Sequence, residues 1–150
     1  MTRGEFEKAI DFYNRAIELS RKINNKLILG ESLVEKGEAL IGAGQLKQAK
    51  VIHEEALDII ERLGNRDLIY RAKIFSAELA QATGDNEKAK NILRELAKTY
   101  TSNYEIANIN YFLFKTTGNE RYKKKALDRY QNLYSETPLY LFEERIKELK

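Results

Sequence analysis

The sequence predicts an all-α protein assembled from repeated helical units. Three observations predict it. Gly4, Gly44 and Gly84 recur at intervals of 40 residues, and each is followed five residues later by an alanine, Ala9, Ala49 and Ala89. A small residue returning at fixed phase inside a helical pattern marks stacked copies of one structural unit. Apolar residues recur at spacings of three and four, with no useful strand alternation. Only one proline, Pro138, interrupts the chain.

The elements follow in order. Residues 5–22 read as a helix because Phe6, Ala9, Ile10, Tyr13, Ala16 and Ile17 form one apolar stripe, closed by Asn24-Asn25. Residues 27–42 carry Leu33, Gly37 and Leu40 on one face, and Gly42-Ala43-Gly44 breaks them off. Residues 46–62 place Leu46, Ala49, Ile52, Ala56, Leu57 and Ile60 on a stripe ended by Gly64, with Asp67 set to cap the next helix. Helices at 68–82 and 87–100 flank the turn Gly84-Asp85-Asn86. A fourth pair covers 104–116 and 121–135, and a last helix, LYLFEERIKEL, covers 139–149. Asn86, Asn103 and Asn119 stand near helix starts, where a side-chain oxygen satisfies orphan backbone donors. One domain over residues 1–150 is the economical reading.

Composition excludes several chemistries. No cysteine means no disulfide, thiolate zinc site or cysteine nucleophile. The single histidine, His53, argues against His-rich metal sites, and no cofactor is expected. It takes the place that Tyr13 holds one copy earlier, so packing is expected of it rather than catalysis. Neither Glu54-Glu55 nor Glu143-Glu144 makes an acid–base pair, because neighbours on a helix point about 100° apart. No acid–base, nucleophile or metal constellation stands, and the chain is not read as an enzyme. No apolar run reaches membrane-spanning length, and the N-terminus is charged where a secretory signal is apolar. A reducing cytoplasmic setting is expected. The formal net charge of +3 does not by itself point to nucleic acid.

Gly4, Phe6, Ala9, Tyr13 and Ala16, within GEFEKAIDFYNRAIEL, resemble the second helix of a tetratricopeptide repeat. The second copy has Gly44, Leu46, Ala49, His53 and Ala56; the third has Gly84, Asn86, Ala89, Leu93 and Leu96. A looser fourth has Gly118, Ala126, Tyr130, Leu133 and Pro138. Gly37 and Ala77 match the family's small residue at the helix crossing, whereas Tyr111 stands where a third would be. The 40-residue interval is similar to the long repeats of kinesin light chains, of Pins-type spindle regulators and of prokaryotic sensor-regulators. The resemblance implies a right-handed superhelix of antiparallel helix pairs, about three and a half units plus the terminal helix.

It also implies a function: a non-catalytic module that holds a partner's peptide or helix in a concave groove, lined by the first helix of each pair. By phase, the second unit would present Glu31, Glu35 and Glu38 there, the third Arg71, Phe75 and Glu78, and the fourth Asn108, Phe112 and Lys115. Such a groove has an acidic half and an aromatic half and would favour basic and apolar ligand side chains; a solvated helix face would show the same glutamate spacing. The carboxylate clamp of chaperone-binding members is not matched, since Val34 and Glu38 hold two of its positions.

The chain opens on the second helix of a pair, so Phe6, Ala9 and Tyr13 are expected to be uncovered. Either the chain is part of a longer protein or another subunit covers that face, which would make it a homo-oligomerisation surface. The context implied is a regulatory or sensor region of a larger protein. Arg121, Lys123, Lys124, Lys125 and Arg129 form a basic cluster, diluted by Glu120 and Asp128 and better read as a solvated face than a phosphate site. Paired base-reading side chains do not recur at the repeat phase, which weighs against an RNA-binding repeat.

Overall fold

The computed structural model describes residues 1–150. Eight α-helices follow one another without a strand: α1 (Arg3–Lys22), α2 (Lys26–Gly42), α3 (Leu46–Leu63), α4 (Arg66–Ala82), α5 (Asn86–Thr99), α6 (Asn103–Thr117), α7 (Glu120–Glu136) and α8 (Tyr140–Leu149). The all-helical repeat expected from the 40-residue phase is the fold observed.

The turn glycines of the second and third copies share one geometry. Gly44 and Gly84 adopt φ of 76° and 88°, the left-handed region open to a residue without Cβ. In each turn the next residue reaches back five positions, Gln45 N–H donating to Leu40 at 2.8 Å and Asp85 N–H to Ala80 at 2.8 Å. That bond closes a Schellman motif on the preceding helix. Gly4 has no such task, because it lies inside α1. The equivalent turn after α1 is made by Asn24, at φ 55°, with Asn25 N–H donating to Ser20 at 2.9 Å.

Helix starts are fixed by short polar side chains. Thr2 and Ser102 form capping boxes with Glu5 and Glu105. Asn25, Asn65 and Asn119 accept from Ile28, Leu68 and Arg121 amides. Two expectations are thereby corrected. Asn65 caps α4, not Asp67, which sits in the first turn. Ser102 caps α6, and Asn103 is its first residue.

The chain divides into two compact units, Met1–Asp85 and Asn86–Lys150. In the first, α2 packs against both α1 and α3, and α4 packs against α2 and α3. Its core joins Ile17, Leu33, Val34, Leu40, Ile60 and Phe75 around Ala49 and Ala56, both fully buried. Small residues at these positions let the helix axes approach. In the second unit α6 packs against α5 and α7, and α7 against α8. Ala107, Ala126 and Tyr130 are fully buried, with Tyr111, Phe142 and Leu149 around them.

Candidate functional site

In the first unit the side chains expected on the binding face come from α2 and α4, and one more arrives from α1. Glu31, Glu35 and Glu38 are all half-buried along one side of α2. Glu35 pairs with Arg71 of α4 at 3.1 Å. Tyr13 reaches the same place from α1. Burial raises its phenol pKa above the ordinary 10.0; the charges of Glu35 and Glu38 raise it further, and Arg71 opposes them. Glu78 is half-buried on α4. Phe75 is a correction: its ring is fully buried, not on an open wall. It stands edge-on to His53 with centroids 5.2 Å apart and fills the space where Gly37 has no side chain. An aromatic at the crossing of α2 and α4 gains more from burial than from facing water.

The second unit treats its three expected residues differently. Asn108 is also a correction, since it is buried and its side-chain oxygen accepts from the Tyr130 hydroxyl at 3.2 Å. A buried amide so bonded specifies the core rather than a ligand. Phe112 is half-buried, edge-on to Tyr111 at 5.1 Å. Lys115 pairs with Glu148 of α8 at 3.0 Å.

The α8 cluster was missed from sequence. The Tyr111 hydroxyl donates to both Glu148 carboxylate oxygens, at 2.7 and 2.8 Å. The Arg145 guanidinium lies 3.6 Å from the Tyr111 ring centre, a cation–π distance. Burial pushes the Glu148 pKa up, but hydrogen bonds from Tyr111 and Lys115 outweigh it and hold the carboxyl below its ordinary 4.5. Burial likewise pulls Lys115 down, and its bonds to Glu148 overcome this. Two signals were available: an oversized Tyr111 where a small residue is expected, and Phe142, Arg145 and Leu149 at helical spacing.

The remaining candidates are absorbed by packing. His53 Nε2 lies 2.6 Å from Ser76 Oγ, while Ser76 donates its only hydroxyl proton to Ala72 at 3.0 Å. These two contacts hold the His53 ring and the Ser76 hydroxyl in the packing between α3 and α4. In the basic cluster Lys123 pairs with Glu120 at 3.7 Å and covers the Phe114 ring, and Arg129 donates to Asn103 at 2.6 Å. No group of three or more His, Cys, Asp or Glu could hold a metal ion. No helix is long and apolar enough to cross a membrane.

The first helix also differs from expectation. Phe6, Ala9 and Tyr13 are half-buried, with the Phe6 ring against Gly42 of α2. The uncovered apolar residues are Phe12, Leu19 and Ile23, 67%, 59% and 58% exposed. The face turned to α2 is the one that the alanines shape, so it pairs within the unit and its flank is left open.

Comparison with curated proteins found no match. A family model, described as Tetratricopeptide repeat, matches residues 1–62. That stretch holds α1, α2 and nearly all of α3, with the first two copies of the glycine–alanine phase. Its members generally mediate protein–protein interaction and are typically non-catalytic. Residues 1–62 are thus similar to the tetratricopeptide repeat family.

Proposed function

We propose that the chain is a non-catalytic protein-interaction module that receives a peptide or helix of a partner on the α2/α4 face of its first unit. The observation that carries this reading is the charge balance there. Glu31, Glu35, Glu38 and Glu78 are half-buried on that pair of helices, and Arg71 pairs with Glu35. A face so arranged favours a ligand with basic side chains, and Tyr13 adds an aromatic edge for its apolar ones. The helices are built before the ligand arrives, so binding avoids part of the ordering cost. A cytoplasmic regulatory or sensor setting rests on family analogy alone.

Titration with a labelled peptide of alternating lysine and leucine tests the reading. Binding should weaken with salt and fall about tenfold in the combined Glu31→Gln, Glu35→Gln, Glu38→Gln variant. Equal affinity of wild type and variant would sink it.

A second reading is self-association through α1, favoured by the exposure of Phe12, Leu19 and Ile23. Sedimentation equilibrium of wild type and of Phe12→Ser, Leu19→Ser separates the two. A mass that rises with concentration only in the wild type supports it, and a monomer at all concentrations removes it.

A further inference from the structure

On another flank of α2 the first unit carries a cleft of about 430 Å³. It exists because α1 and α3 each pack on α2 but not on one another. Ile17, Leu33 and Ile52 supply its apolar lining, and Asn14 and Lys36 its edge. The other charged groups there are already paired. Arg21 bridges to Glu55 across the cleft, and Lys22 pairs with Glu18 at 3.4 Å. Lys36 is half-buried and forms no ion pair, so the cleft keeps one uncompensated positive charge. A lysine without a counter-ion at the edge of an apolar cleft offers an incoming carboxylate a charge-assisted hydrogen bond.

We propose that this cleft receives an acidic side chain from an extended segment of a partner protein. The carboxylate pairs with Lys36, the Asn14 amide donates beside it, and aliphatic neighbours in the segment cover Ile17, Leu33 and Ile52. The volume lies in the lower part of the ~300–1,000 Å³ range of ligand sites and suits a few side chains, not a large cofactor. This site is separate in place and opposite in charge preference from the α2/α4 face, so it stands or falls independently.

Methyl-detected NMR of the full chain, titrated with acetyl-Leu-Glu-Leu-amide and with its Gln counterpart, tests it. The expected result is saturable shifts at the Ile17, Leu33 and Ile52 methyls with the Glu peptide. Affinity should drop about tenfold for the Gln peptide and for Lys36→Gln, and be retained in Lys36→Arg. Equal binding of both peptides, indifference to Lys36→Gln in a variant that melts like wild type, or shifts that never saturate would each overturn the proposal. So would the same shifts from sodium acetate at equal concentration, which would mean an adventitious ion only.

Discussion

The ring of Phe75 occupies the volume that a side chain at Gly37 would need. A Cβ at position 37 would lie 2.6 Å from Phe75 Cε2, inside contact distance, and Phe75 is wholly buried. Gly37→Ala is therefore expected to destabilise the protein by about 2 kcal/mol through overpacking. That outcome opposes the gain of about 1 kcal/mol that alanine gives in an open helix. Urea denaturation checks it, and Phe75→Leu in the same chain should recover part of the loss. A stabilised Gly37→Ala would show that the two helices are not in this register.

The repeat glycines make a sharper comparison, because sequence phase treats them as equals and the backbone does not. Gly4 is helical, with Thr2 Oγ1 at 4.0 Å as the nearest obstacle to a Cβ. Gly44 has open space around it but a φ of 76°. Gly4→Ala should leave stability unchanged or raise it by up to ~1 kcal/mol. Gly44→Ala should lower it by about 1 kcal/mol, the cost of a left-handed alanine. Paired thermal melts decide. Equal effects at the two positions would contradict the assigned turn.

Helix existence and the interior alanines were legible because both follow from periodicity. Ala49, Ala89 and Ala126 are all fully buried, as their phase demanded. The outward faces were less legible. Phase alone puts Phe75 and Asn108 on a ligand-facing side because it treats each helix as having one buried face. α4 meets two neighbours, α2 and α3, and so does α6, between α5 and α7. A helix with two neighbours has a wider buried arc than a single apolar stripe reveals. The Lys36 cleft was invisible for a related reason, since it depends on three helices and on which charges already have partners.

The bond from Tyr111 to Glu148 gives a test of the second unit that leaves its core volume intact. Tyr111→Phe keeps the ring beside Tyr130 and beneath Arg145 and removes only the hydroxyl. Loss of a half-exposed hydrogen bond to a carboxylate should cost about 1 kcal/mol. Tyr111→Ala also empties the ring's volume and should cost about 3–5 kcal/mol. Chemical denaturation of the two variants checks the ordering. If Tyr111→Phe cost as much as Tyr111→Ala, the hydroxyl rather than ring packing would hold α8.

The same cluster predicts how stability changes with pH. Glu148 has a folded pKa below its ordinary 4.5, so its contribution is complete above that value and is lost as pH falls through the lower, folded one. Lys115 is raised above 10.5, which gives the opposite limb: its contribution is complete below 10.5 and fades as pH rises past it. Tyr111 is raised above 10.0, first by burial and then by its bond to Glu148. Its contribution likewise fades above 10.0. Docking of α8 should therefore hold a plateau between about pH 5 and 10 and weaken on both sides. Near-ultraviolet circular dichroism of the Tyr111 environment during thermal melts at stepped pH reads this directly. Glu148→Gln should lower the plateau and flatten the acid limb, because the titrating carboxylate is gone while Lys115 still loses its charge at high pH. An acid limb of unchanged steepness in Glu148→Gln would assign that limb to other carboxylates and remove Glu148 as the group that ties α8 to α6.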